Sequence, residues 1–184
     1  MVRAILLAIV FGTALGCAPV RVTDYSDAKP VLDVARFFTG QLSAHGIVKD
    51  SSGRVIRYFN AEIATQWVDG VGTLTEDFTF DDGEIQRRVW TLRANGDGTY
   101  IGTAGDVVGD AALQQAGNSL FLDYVLRLPY RGSEVDVRVD DRMYLVSPDV
   151  LINESRLTKF GWEVGTLVLV IARHPAPEKA PSND

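Results

Sequence analysis

Apolar and polar positions alternate with a period of two along most of this chain. In "RVIRYFNAEIATQW", Val55, Phe59, Ala61, Ile63 and Trp67 share one parity, while Tyr58, Asn60, Glu62 and Gln66 share the other. "LTEDFTF" sets Leu74, Phe78 and Phe80 against Thr75, Asp77 and Thr79, and "SLFLDYVLRL" sets Leu120, Leu122, Tyr124, Leu126 and Leu128 against Asp123 and Arg127. "EVDVRVD" interleaves Val135, Val137 and Val139 with acids and an arginine. Such alternation marks strands with one dry and one wet face. The last run, "GTLVLVIAR", is apolar at both parities, as expected of a strand packed on both faces or closing a barrel.

Turn signals separate these runs at short spacing: "DSSG", "FDDGE", "ANGDG" and "YRG". Asp-Gly and Asn-Gly pairs supply the positive φ angles of tight hairpins. Only "DVARFF" reads as a short helix. The pattern predicts an all-β fold, an antiparallel up-and-down barrel of about 8–10 strands with at most one short N-terminal helix; a sandwich is the alternative. A barrel is favoured because closure removes exposed strand edges altogether.

The first residues break the period. "MVRAILLAIVFGTALG" carries Arg3 beside the amino terminus and then an apolar run from Ala4 to Leu15, which is the layout of an export signal. It is too short to span a bilayer, which takes about 20 apolar residues. Cys17, the single cysteine, follows directly in "TALGCAPV". "ALG" before it resembles the lipobox of bacterial lipoproteins, whose signal is cut before a cysteine that becomes acylated. Gly16 and Leu15 fit, whereas Ala14 stands where leucine is usual. An unmodified lone thiol is a liability outside the cytoplasm, and lipidation of Cys17 removes it. Two or more acyl chains hold firmly where one holds weakly. The expected organisation is a signal at 1–16, a lipidated tether at 17–30, a barrel at 31–174 and a loose tail at 175–184. The expected location is the periplasmic side of the cell envelope. Ala18 and Pro19 after the cysteine favour the inner leaflet of the outer membrane over the inner membrane.

Charge excludes one class of partner. The chain has a formal net charge of −6, and removing residues 1–16 takes away Arg3 alone among charged side chains. Nucleic-acid binding needs a basic face, so none is expected. The chain is 46% hydrophobic, enough for a real core without disulfides.

Several stretches resemble one family. "RFFTGQLSAHGIVKDSSGRVIRYF", "LTEDFTFDDGEIQRRVW", "YIGTAGDVVGDAALQQAGNSL" and "VDDRMYLVSPDVLINESRLTKFGWEVG" are together similar to the bacterial lipoprotein family known as domain of unknown function 3833. "EDFTFDDGE", "RVW" and "KFGWEVG" are the most specific pieces. The resemblance implies a lipoprotein without an assigned activity. It also implies a link to membrane lipid, since genes of that family neighbour those of fatty-acid-modifying enzymes of the cyclopropane-synthase kind. "FFTGQLSAHG" has a lipocalin-like flavour, but Leu42 stands where lipocalins place a tryptophan, so that likeness is one of barrel architecture.

Parity also places charges indoors. Glu76 falls with Leu74, Phe78 and Phe80; Arg88 falls with Trp90 and Leu92; Asp141 falls with Val137, Val139 and Met143. Buried charges persist only when paired or hydrogen-bonded. Glu76, Arg88, Trp90, Asp141 and Tyr124 are therefore the candidate ligand pocket, with the charges as a polar floor for a head group or carboxylate. The competing explanation is an ion pair that fixes register. No catalytic residue, metal or cofactor is expected: His174 stands where the loose tail starts, which leaves His45 alone, one histidine makes a poor metal site, and Ser43, two residues away, forms no recognisable triad. The glycines of "GTAGDVVGDAALQQAG" lack a following helix start, so they read as bends rather than a phosphate cradle. Asp81 and Asp82 sit in a turn that favours aspartate. Three readings follow: a tethered carrier of a lipid or fatty-acid-like ligand, a structural or assembly lipoprotein acting through its surface, or an enzyme on a lipid-derived substrate.

Overall fold

The computed structural model describes residues 18–174. Cys17, the signal at 1–16 and the tail at 175–184 lie outside the described residues. Ten strands follow a 3₁₀ turn (Val22–Tyr25) and one α-helical turn, α1 (Val34–Phe37): β1 (Gly40–Asp50), β2 (Val55–Val68), β3 (Val71–Phe80), β4 (Ile85–Ala94), β5 (Thr99–Thr103), β6 (Ala111–Ala116), β7 (Ser119–Tyr130), β8 (Ser133–Ser147), β9 (Val150–Lys159) and β10 (Trp162–Arg173). Each pairs antiparallel with the next, and β1 pairs with β10 from Leu42↔Arg173 to Asp50↔Gly165, closing the barrel. The run apolar at both parities is this closing strand.

Parity decides which side chains enter. On β2 the buried residues Phe59, Ala61, Ile63 and Thr65 alternate with exposed Asn60, Glu62 and Ala64. On β7 Leu120, Leu122, Tyr124 and Leu126 are buried in the same core. Each fully buried apolar side chain of this size stabilises the fold by about 1.5–3 kcal/mol.

The two ends differ. At the end carrying the β2–β3, β4–β5 and β6–β7 turns, Leu32, Val34, Phe37 and Phe38 join the core and plug the barrel. Asp33 caps α1 by accepting from the Arg36 N–H at 3.0 Å, and the Trp67 indole donates to the Phe38 carbonyl at 2.7 Å. Residues 22–30, which the sequence reading gave to the tether, are seated on the outside of the barrel. Val22 is buried, and the Tyr25 ring packs 5.8 Å from Phe121 and 5.4 Å from Tyr144. Gly117 makes this possible: its φ is +53°, and a Cβ there would fall 1.8 Å from the Tyr25 carbonyl oxygen. Composition alone does not reveal this seat, because a polar stretch with two apolar anchors reads like linker.

At the other end lie the β1–β2, β3–β4, β7–β8 and β9–β10 turns. Asp81 and Asp82 are turn residues here, Asp82 accepting from the Glu84 N–H at 3.0 Å. Arg57 stacks over the Phe80 ring at 3.6 Å and pairs with Asp82 at 2.9 Å and Glu84 at 2.5 Å, covering the mouth. Phe160 and Trp162 flank the β9–β10 turn, 89% and 78% exposed.

Candidate functional site

Strand register brings the site together. Glu76 on β3 is paired directly with Arg88 on β4, and Trp90 lies two residues further along the same inner face. Tyr124 on β7 and Asp141 on β8 enter from the opposite wall. All five line one internal cavity of about 110 Å³, with Phe59, Phe78, Leu122, Met143, Asn153 and Ser155 around them. Gly46 gives the cavity its shape on the β1 side: a Cβ there would lie 2.4 Å from the Phe59 ring. The Trp90 and Tyr124 rings meet edge to face at 5.4 Å.

The charges are divided into two groups. Arg88 donates from Nε and Nη2 to the Asp106 carboxylate at 2.7–3.0 Å, while its Nη1 stands 3.9 Å from Glu76. Asp141 accepts from the Asn153 amide and from the Ser155 hydroxyl, the latter at 2.9 Å. Burial pushes the Glu76 carboxyl from its ordinary 4.5 up to about 7; Arg88 opposes the shift, and Asp141 and Asp106 add to it. Burial also raises Asp141, against the hydrogen bonds from Asn153 and Ser155, and holds the Tyr124 hydroxyl well above its ordinary value. Burial works against the charge of Arg88, but the hydrogen bonds to Asp106 and the nearby Glu76 outweigh it.

Sequence periodicity does not reach Asp106, which lies in the loop after β5, where no strand parity applies. Asn153 and Ser155 share the parity of Leu151 on β9 and were readable in "VLINESRLTK" as polar residues on an inner face. Among the strand aromatics, Phe59, Phe78 and Trp90 line the cavity, Trp67 is engaged with Phe38, and Phe80 lies under Arg57. His45 faces outward and makes one hydrogen bond, Nδ1 to Asn60 Oδ1 at 2.7 Å. Among the described residues, no three His, Cys, Asp or Glu side chains cluster as a metal site requires.

Glu76 gives the site a measurable pH signature. The folded chain holds this proton more tightly than the unfolded chain, so stability from this group falls as pH rises from 4.5 to about 7. The full loss is on the order of 3 kcal/mol above pH 7. Urea unfolding of Glu76→Gln at pH 5 and pH 8 is expected to show the decline between those pH values reduced relative to the parent protein. An unchanged decline would place the titrating group elsewhere.

The family model described as protein of unknown function (DUF3833) matches residues 11–173. No curated protein matches the chain. An S-type phycobiliprotein lyase from Guillardia theta superposes with a TM-score of 0.58 at 13% identity, covering 79% of this chain and 95% of that one. A DUF3598-family protein of unknown function from Nostoc punctiforme gives 0.56 at 14%, over 79% of this chain and 51% of that one. A protein from M. tuberculosis gives 0.53 at 15%, over 75% and 93%. At these identities the likeness is one of fold, a lipocalin-like barrel.

Proposed function

The chain belongs to the DUF3833 family, and from that membership and the cavity we propose that it is a small-ligand-binding barrel tethered to the bacterial cell envelope. The observation that carries the reading is the internal cavity, where apolar residues such as Phe78, Trp90 and Leu122 meet the polar side chains of Glu76, Arg88, Asp141 and Tyr124. Cavities that combine apolar walls with convergent polar groups are the usual form of small-molecule sites. The ligand proposed is a lipid or fatty-acid-like molecule, its polar end at the charged cluster and its apolar part against Phe78, Trp90 and Leu122. The anchor proposed is acylated Cys17, on the periplasmic side, with the outer membrane favoured. Glu76, with its carboxyl near 7, can also give and take a proton. Arg88 is engaged with Asp106, and Asp141 with Asn153 and Ser155, so binding is favoured over catalysis.

A second reading, a lipoprotein acting through its surface, is favoured by Phe160 and Trp162, which stand exposed at the β9–β10 turn. Mass spectrometry of the purified full chain under non-denaturing conditions separates the two. The binding reading expects a mature chain starting at acylated Cys17 with one amphipathic molecule bound, and loss of that molecule when inward-facing Met143 is replaced by Trp. An acylated, folded and empty chain would overturn it in favour of the surface reading.

A further inference from the structure

At about 110 Å³ the cavity is smaller than the 300 Å³ or more usual for small-molecule sites. A ligand of more than a few heavy atoms needs more room than this, and a yielding wall would supply it. Around most of the barrel the wall is a long ladder, β7 with β8 running from Ser119↔Tyr144 to Tyr130↔Ser133. The exception is beside β5 and β6. β4 pairs with β5 only over Thr91–Ala94, and β7 pairs with β6 only over Ser119–Asp123. Ile85–Trp90 and Tyr124–Tyr130 run on past β5 and β6 towards the end carrying the β3–β4 and β7–β8 turns, and loop 104–110 fills the gap between them.

The loop is attached unequally. On the β7 side the backbone holds it: the Val108 N–H donates to the Val125 carbonyl at 2.9 Å, and the Arg127 N–H to the Asp106 carbonyl at 2.8 Å. Among the described residues no backbone hydrogen bond joins the loop to β4. What joins them is the fork of Arg88 on the Asp106 carboxylate. Outside this seam is a groove of about 490 Å³ lined by Gln86, Arg87, Arg88, Val89, Asp106 and Leu128 among others. Arg88 thus lines both the outer groove and the inner cavity, and the Arg88–Asp106 pair stands between them.

We propose that Arg88 is the binding group for a monocarboxylate on an apolar chain, which enters through the seam between β4 and β7 and takes the guanidinium fork from Asp106. Asp106 already shows how a carboxylate sits on that fork, with bonds of charge-assisted length. A monoanion replaces it without changing the charge beside Glu76 and Asp141, whereas a dianionic phosphate adds a charge next to two carboxyl groups. Asp106 is 36% exposed, so its released carboxylate passes to water. The joined groove and cavity then have the volume a medium-length chain requires, with the apolar part reaching Phe78 and Trp90.

This inference rests on the binding reading above, and the probes separate the two. Decanoate and 1-decanol are titrated into the full chain and into Asp106→Asn, following tryptophan fluorescence. The expected result is that decanoate binds more tightly than decanol, and that Asp106→Asn tightens decanoate about fivefold or more while leaving decanol unchanged. Equal binding of both probes, unaltered in Asp106→Asn, would overturn the carboxylate subsite and leave the cavity reading standing. Failure of both probes to bind would overturn both. Carboxyl-¹³C decanoate on the unaltered protein gives a readout independent of the variant's folding. On Arg88 its carboxyl titrates below the free acid, and titration at the free value would contradict the proposal.

Discussion

Arg88→Met is expected to destabilise the barrel by about 3–5 kcal/mol at pH 8, the usual loss when one partner of a buried charge pair is removed. The reason lies in what remains. Glu76 is 16% exposed and Asp141 is buried, and Arg88 is the cation that lowers both carboxyl groups. Without it the folded chain can tolerate them only by holding protons to higher pH. Since those protons are released in the unfolded chain above its ordinary carboxyl range, the variant loses most stability at pH 8 and least at pH 5. Urea unfolding at both values measures this. Arg88→Met combined with Glu76→Gln is expected to recover part of the loss at pH 8, because the orphaned carboxylate is gone. The same loss at pH 5 and pH 8 would mean that Arg88 acts only through its hold on the loop carrying Asp106.

The fold was legible in the chain because a barrel wall is the simplest consequence of period-two patterning. Leu120, Leu122, Tyr124 and Leu126 have no alternative but one face, and a one-residue slip would put all of them in water. Short β5 and β6 were less legible: "TYIGT" and "AALQQA" are too short for alternation to stand out against the glycines beside them. The seat of residues 22–30 was hidden for a different reason. It depends on Gly117, almost a hundred residues away, whose missing Cβ leaves room for the Tyr25 carbonyl.

The candidate site divides in the same way. Glu76, Arg88, Trp90, Tyr124 and Asp141 sit on long strands, so parity alone turned them inward, and register placed Glu76 opposite Arg88. Asp106 is on a loop, where direction is set by tertiary contacts, and the sequence reading grouped Arg88 with Glu76 and Asp141 alone. The structure instead gives Asp106 the hydrogen bonds and leaves Glu76 at 3.9 Å. That exchange of partners matters physically. The carboxylate at hydrogen-bond distance takes the guanidinium fork, and the one left further inside is the group pushed up to about 7.

Trp90→Ala is the other large effect expected, a loss of about 3–5 kcal/mol, the range for truncating a buried aromatic. The indole is buried on the inner face of β4, edge to face with Tyr124, and one of its ring atoms lies 3.3 Å from where a Gly102 Cβ would be. Its neighbours cannot follow it inward, because Tyr124 and Leu92 are fixed by continuous ladders on β7 and β4. The space therefore stays open and adds to the existing cavity. The part of that space beside Leu92 and Leu113 has an apolar lining and is expected to take up an apolar probe such as benzene, as engineered dry cavities do. Benzene should then raise the midpoint of thermal unfolding of Trp90→Ala and leave that of the parent protein unchanged. If the variant loses less than about 1 kcal/mol and benzene has no effect on it, the barrel has collapsed around the missing ring. The interior would then be deformable enough to admit a ligand without any opening of the seam at Arg88 and Asp106. The benzene shift and the decanoate titration thus bear on one question, whether the wall or the packing gives way first.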